Sequence, residues 1–450
     1  MLGAFRGSNR LVRPPLTRLQ GGHGVLAIEN IMGIPYMAGP YRVTRSARCI
    51  LLLTSLPLAC STEVEQRRLP GDSTAVVVHS NAESWKNEDR WSLSTVPTTT
   101  IQGAPNDAPL MGIRGPIVTS EGNYILANAA TNELRIYNAA GVLIKVSGRQ
   151  GNGPGEFPTG PFGIFRCAAD TIVVKENRRV SIWRADGEYA GITSTQTGSS
   201  DRLRNVVGVS PDCESMLVET GDPRLPNDQV VRVENRLFWY KRNGDSRDTV
   251  ARFRGIEAVR VEYFGREFRS RVPWAPAPVY ALRDSFLLFG DAEQPLFRVI
   301  DPAGRVAAII SWNSKSRDVD PEDRDKFESR RQAYLATHPD QAKNYPPVDM
   351  LSPRKTKPFY SAALTDSEGN LWVREYPDAD AGSPGFFAPH PASLMISWNV
   401  FDVGGRWLGA VKIPAPLSVR QITPSKVIGV WRDHDDVESV RVYEISKPKH

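Results

Sequence analysis

The strongest constraint on how this chain can fold is a short turn that recurs five times. In each copy an aromatic or apolar residue ends a strand-like run, and a glycine follows four positions later. The pairs are Tyr137 and Gly141, Trp183 and Gly187, Tyr240 and Gly244, Ile300 and Gly304, and Phe401 and Gly405. A hairpin loop built on a type I turn ends in a residue with positive φ, which glycine adopts without steric penalty. Because another strand-like run follows each glycine, the five copies indicate an internal repeat.

The strand-like runs around these turns fall into six units. The units span about 115–150, 160–195, 204–254, 278–312, 358–413 and 417–446. The last unit lacks a fourth run, and the run Trp91–Gln102, broken by Pro97, has no unit of its own. A closed ring accounts for both facts, because the early run would complete the last unit. We therefore predict an all-β fold, a six-bladed β-propeller of four-stranded antiparallel blades, over residues 86–446.

One loop connects this repeat with a known family. The segment Gly151–Phe157 reads GNGPGEF, and Phe162–Ile164 reads FGI soon after it. This pattern resembles the segment between blades in NHL-type propellers and in the six-bladed β-propeller lipoproteins of bacteria. The resemblance covers about residues 90–446 and implies the fold alone, because NHL-type propellers include enzymes, sensors and scaffolds.

The N-terminal 60 residues have the pattern of a leader. A basic flank at Arg42, Arg45 and Arg48 precedes the apolar run Cys49–Ala59, which is too short to span a bilayer. The sequence around Cys60 resembles the bacterial lipoprotein signal, which implies that Cys60 is lipidated. The protein would then be exported and anchored in the cell envelope, on the periplasmic side of the outer membrane. The alternative is an uncleaved N-terminal anchor.

The start of translation and the segment after the leader are separate predictions. A start at Met37 would give a signal of ordinary length, in which case residues 1–36 would not be translated. Residues 61–85 are polar and weakly periodic, so we predict a flexible tether there.

The charge of the chain comes from its leader. Residues 1–59 contain seven arginines and one acidic residue, which leaves 49 basic and 49 acidic side chains in the rest. Nucleic-acid binding requires a clustered basic surface. We therefore predict no nucleic-acid partner; the partner would be a small molecule, a glycan or a protein.

One segment interrupts the strand pattern. Residues 313–358 form a long insertion between units four and five, and Asp320–Thr337 within it reads as a helix. Asp320 suits the N-cap and Pro321 the first helical position.

Connection lengths predict which end of the ring carries function. In antiparallel blades, the connections from second to third strand and from one blade to the next lie at the same end. The four long connections are all of these two kinds: 221–229, 254–277, 313–358 and 377–393. Ligand-binding candidates at or near this end are Arg149, Asn152, Glu156, Arg178, Arg266, Arg269, Trp274, Phe387 and His390. The alternative for Trp274 and Phe387 is that they seal loops onto the scaffold, and for the arginines that they are solvated.

Cysteine and histidine usage limits the chemistry. Cys167 and Cys213 lie just after the first strands of consecutive units, so they form either a disulfide or two separate buried thiols. The histidines of the repeat region are scattered, which does not predict a histidine-rich zinc site. We predict no cofactor and a non-catalytic ligand- or protein-binding propeller at the cell envelope. The alternative is a metal-dependent hydrolase or lyase, lactonase-like or amidating-lyase-like, with a calcium or zinc ion on the channel axis.

Overall fold

The computed structural model describes residues 64–68, 75–103, 109–176, 179–194, 205–221, 230–242, 246–377 and 393–448. Side chains are described in these ranges except at 64–68, 193–194, 205, 221 and 246–248. The described part of the chain is mostly strand, in six sheets.

The strands are numbered in chain order. Those before the first sheet are β1 (Val64–Arg68), β2 (Val76–Ser80), β3 (Ser92–Leu93) and β4 (Thr99–Ile101). The first sheet contains β5 (Ile113–Val118), β6 (Tyr124–Asn128), β7 (Glu133–Tyr137) and β8 (Leu143–Ser147). The second contains β9 (Gly163–Cys167), β10 (Thr171–Lys175), β11 (Arg179–Trp183) and β12 (Tyr189–Ser194). The third contains β13 (Asn205–Val209), β14 (Ser215–Gly221), β15 (Val230–Lys241), β16 (Ser246–Tyr263) and β17 (Arg266–Arg271).

The remaining sheets follow the same order. The fourth contains β18 (Val279–Arg283), β19 (Phe286–Gly290), β20 (Leu296–Ile300) and β21 (Val306–Trp312). The fifth contains β22 (Tyr360–Thr365), β23 (Leu371–Glu375), β24 (Met395–Phe401) and β25 (Trp407–Pro414). The sixth contains β26 (Leu417–Ile422), β27 (Lys426–Arg432) and β28 (Glu438–Ser446). The helix α1 is Pro321–Thr337, and 3₁₀ turns cover Asn87–Asp89, Ala168–Asp170, Pro339–Asn344 and Val348–Leu351.

Glycine turns close the hairpins between third and fourth strands. The φ angle is +82° at Gly141, +79° at Gly187, +83° at Gly304 and +89° at Gly405. These four turns confirm the repeat predicted from the sequence, and Gly244 lies outside the described residues. The space for a side chain is also filled: a Cβ at Gly187 would lie 2.6 Å from Ile136 in the first sheet.

Each sheet is buried on both faces. Successive side chains of a strand point to opposite faces of the sheet. In the second strand of each sheet, side chains on both faces are buried. For example, Ile125 packs with the second sheet and Tyr124 with the sixth, while Leu288 packs with the fifth sheet and Leu287 with the third. Six apolar clusters fill the spaces between consecutive sheets, including the space between the sixth and the first. These successive antiparallel sheets are consistent with a β-propeller.

The N-terminal segment binds to three outer edges in turn. β2 pairs in parallel with β21 of the fourth sheet, and β1 pairs with β2. Ser84 and Trp85 then donate backbone hydrogen bonds to Leu408 O in β25, at 3.0 and 2.7 Å. Finally β3 and β4 pair with β28, with Ile101 opposite Val440. We call residues 75–101 the strap. Its last part confirms the predicted pairing of Trp91–Gln102 with the sixth unit.

The strap covers residues 75–85 of the segment 61–85, which the sequence predicted as a flexible tether. Ala75 and Ser80 are fully buried and Val78 is nearly so. The prediction was wrong over β2 because the outer edge of β21 is free to pair with another strand. Val76–Ser80 pairs with this edge, and Val78 and Ser80 become buried.

The 254–277 connection also differs from the predicted loop. β16 continues past Val259, where its pairing with β15 ends, and forms a hairpin with β17, in which Arg260 faces Arg269. Every second residue of Phe253–Val261 is buried, but two of these positions are Gly255 and Glu257. These two residues hide the alternation in the sequence, and Glu257 is buried because Arg354 pairs with it.

The disulfide between Cys167 and Cys213 joins the second and third sheets. Cys167 ends β9, and Cys213 lies in the turn between β13 and β14. Ala168 N also donates a hydrogen bond to Pro211 O (2.8 Å), so the two turns meet along their backbones as well.

Candidate functional site

The predicted candidates at Arg149, Asn152 and Glu156 share one loop between the first and second sheets. Glu156 accepts hydrogen bonds from Gly153 N at Oε2 and from Arg149 Nε at Oε1, both at 2.8 Å. These bonds lower the pKa of Glu156, the Gly153 amide most strongly. Asn152 is exposed, whereas Phe157 is fully buried and stacks on Trp183 with ring centroids 5.4 Å apart. Glu156 therefore stabilises the conformation of this loop, and Phe157 packs the loop against the second sheet.

The candidates at Arg266, Arg269 and Trp274 lie on or beside the β16–β17 hairpin. Arg266 is exposed and Arg269 is partly buried. Trp274 is 1% exposed and packs on Phe327 of α1, with ring centroids 5.9 Å apart. This burial favours the alternative for Trp274, in which its ring seals the loop onto the scaffold.

The insertion forms a small core of its own. Residues from the hairpin, from α1, from Val348–Leu351 and from the end of β23 share one buried cluster. Charged side chains complete it: Asp323 and Lys357 are both buried and lie 2.8 Å apart. As predicted, Asp320 caps α1, accepting a hydrogen bond from Asp323 N (2.8 Å). Asp323 and Arg331 of α1 are buried as well, because Lys357 and Glu328 pair with them.

The remaining predicted residues cannot be placed. Cys60, Arg178, Phe387 and His390 lie outside the described residues.

A group that sequence reasoning missed lies where the sixth sheet meets the first. Arg420 is on β26 and Arg114 is on β5, and these two first strands contact each other. Glu438 bridges the same junction: its Oε2 accepts from Ile113 N (2.7 Å) and its Oε1 from Arg432 Nη2 (2.9 Å). Gln421 Oε1 accepts from Val118 N (2.8 Å), so the two strands are held in register.

β-Bulges mark the first strands of several sheets. In β26 the pairing passes from Val419 opposite Gly429 to Gln421 opposite Ile428, so Arg420 is the extra residue. The same irregularity leaves Ser361 extra in β22 and Val207 extra in β13. A bulge re-aims the side chain it carries, and bulges are enriched beside functional sites. An arginine within the otherwise strand-like LSVRQI was the only sequence signal for this site.

Arg420 combines access to solvent with enclosure by protein. Its side chain is exposed, yet burial is the main cause that lowers its pKa. Arg114 and Arg432 lower that pKa further, whereas Glu438 raises it. The Arg420 side chain is thus reached by solvent and also has protein atoms close around it.

A second carboxylate bridges sheets in the same way as Glu438. Glu219 on β14 accepts hydrogen bonds from Tyr280 OH and Asn235 Nδ2, both at 2.7 Å. Tyr280 belongs to the first strand of the next sheet, and burial together with Glu219 raises its pKa. Both Glu219 and Glu438 thus use one oxygen within their own sheet and the other on the neighbouring sheet.

Comparisons with known proteins leave the family open. No protein-family profile matches the chain, and no curated protein matches it. A member of the DUF4221 family from Bacteroides vulgatus is similar in structure, with TM-score 0.46 and 12% identity over 80% of this chain and 100% of that one. A candidate exported protein from Bacteroides fragilis has TM-score 0.44 and 10% identity over 83% of this chain and 100% of that one. A gluconolactonase from Xanthomonas campestris has TM-score 0.33 and 12% identity, over 77% of this chain and 97% of that one. Similarity at this level assigns no activity to this chain.

Two kinds of feature are absent from the described residues. Among them, no group of three or more His, Cys, Asp or Glu side chains is arranged to hold a metal ion. Within the same ranges, no helix has the length and apolar character needed to cross a bilayer.

Proposed function

We propose that the chain is a six-bladed, NHL-like β-propeller whose ring is closed by the strap. First strands of neighbouring sheets contact each other, including β26 with β5. β4 fills the missing outer position of the sixth sheet, and Ile101 is buried among side chains of the sixth and first sheets. Blades four and five are then joined by the insertion that contains α1.

The propeller is a non-catalytic module that binds a small molecule, a glycan or a protein. The observation that carries this proposal is the pair of arginines on adjoining first strands, one of them re-aimed by a bulge. The connections between sheets, including the folded insertion, enter the first strands at their N-terminal ends. The proposed binding surface therefore lies between the arginine pair and these connections.

The module acts in the bacterial cell envelope. Its leader resembles a lipoprotein signal, so the mature chain would start at a lipidated Cys60 and sit on the periplasmic side of the outer membrane. Replacing Cys60→Ala should move the protein from the membrane fraction to the soluble fraction, because stable anchoring needs several acyl chains. A Cys60→Ala protein that stays with the membrane would contradict lipid anchoring.

Elemental analysis tests binding against catalysis. A metal-dependent hydrolase or lyase would hold a divalent ion on the channel axis after purification. We expect purified protein to contain less than one equivalent of calcium or zinc per chain. One tightly held divalent ion that resists dialysis would instead support the enzyme alternative.

A further inference from the structure

Arg114 and Arg420 have no partner among the residues that the structure describes. Neither guanidinium makes a hydrogen bond or ion pair there, although arginine normally takes several acceptors when it is enclosed by protein. The strands that carry them contact each other, a bulge re-aims Arg420, and Arg114 is the neighbouring charge that most lowers the pKa of Arg420. Two cations from different sheets therefore lie near each other, and Glu438 is the carboxylate that raises the pKa of Arg420.

The nearby carboxylates are already engaged. Glu438 is 7% exposed, and each of its oxygens has a partner, Ile113 N or the Arg432 guanidinium. Asp436 pairs with Arg432 Nε at 3.3 Å. Arg432 therefore pairs with both Glu438 and Asp436, and these carboxylates do not neutralise the arginine pair.

We propose that Arg114 and Arg420 bind an oxyanion group of the ligand, a carboxylate or a phosphate, at the junction of the sixth and first sheets. Arginine's planar fork matches two oxygens of such a group, and enclosure strengthens these charge-assisted hydrogen bonds. The inference rests on the proposed function, since it names the ligand class at the same end of the ring.

Thermal unfolding and calorimetry with inorganic phosphate and, separately, citrate test this site. In low-salt buffer we expect each anion to raise the unfolding temperature of the wild-type protein. Arg420→Gln and Arg114→Gln should each weaken binding at least about tenfold, while Arg420→Lys should weaken it less. The matched control is Arg406→Gln, an exposed arginine paired with Asp402 in a glycine turn (3.1 Å), which should bind like wild type.

Stability without the anion separates binding from a structural role. Because Arg114 and Arg420 repel each other, Arg420→Gln should unfold at the same temperature as wild type or higher when no anion is present. A lower unfolding temperature would assign Arg420 to the scaffold and overturn the proposal. So would a wild type that responds to neither anion, or equal losses in Arg406→Gln and Arg420→Gln. All these readouts are independent of metal content, which tests the proposed function separately.

Discussion

At the scale of single residues, Phe157 shows how the loop between the first two sheets supports the fold. Its ring is fully buried against Trp183, and a Cβ at Gly148 would lie only 2.4 Å from it. We expect Phe157→Ala to lower the free energy of unfolding by about 3–5 kcal/mol, because it opens a cavity between two sheets. Phe264→Ala makes the same change at a side chain that is 68% exposed, and should cost less than about 1 kcal/mol.

Urea unfolding of both variants measures these values. Equal destabilisation by the two substitutions would mean that Phe157 is not part of the packing between the sheets. Unchanged stability in Phe157→Ala would return its loop to the set of ligand-binding candidates.

The sequence predicted some residues of the site region and missed others for identifiable reasons. A turn position with positive φ favours glycine, so the sequence marks such turns directly. Four of the five predicted turns are confirmed. Trp274 looked like a loop residue because its packing partner, Phe327, comes from a distant segment. Arg114 and Arg420 were missed because their proximity depends on two first strands from opposite ends of the chain.

At the scale of elements, the strap is held to the fifth sheet by a close contact between Trp85 and Gly409. A Cβ at Gly409 would lie 2.3 Å from Cε3 of Trp85. Gly409→Ala should therefore displace the indole and lower the free energy of unfolding by about 1–3 kcal/mol. Gly163→Ala is the control, because the nearest atom to its added Cβ would be 3.5 Å away.

A double-mutant cycle identifies the cause. If the cost of Gly409→Ala arises from Trp85, it should largely disappear in a Trp85→Ala background. An equal cost in both backgrounds would show that the strap is not seated at Gly409.

Elements were predictable where one local pattern sufficed. Asp320 and Pro321 predict the capped start of α1, and the structure confirms it. β2 and the β16–β17 hairpin were not predicted, because each is formed by pairing with another edge or by burial of a charge. A polar residue such as Glu257 reads as exposed until its partner Arg354 is known.

At the scale of the whole molecule, the order of the six sheets was predictable because every unit repeats the same strand pattern. Their packing follows from it: both faces of each sheet are apolar, so each must be covered by a neighbour. The additional strands could not be predicted in this way. A hairpin gives the third sheet five strands, and the N-terminal segment gives the fourth sheet six. The sixth sheet has five strands because both β3 and β4 pair with β28.

The central claim is that the N-terminal strand β4 closes the ring on β28, and a disulfide cross-link tests it most directly. Thr100 and Arg441 face each other across this pair. Directly opposed residues of antiparallel strands lie about 4.5–5.5 Å apart at Cα, within the reach of a disulfide. Mild oxidation of the Thr100→Cys/Arg441→Cys protein should therefore form the link within one chain, as detected by peptide mass spectrometry. Thr100→Cys/Glu444→Cys should not link, because Glu444 lies about 10 Å further along the strand. Failure of the opposed pair to link in the folded protein, or equal linking of both pairs, would contradict closure of the ring by β4.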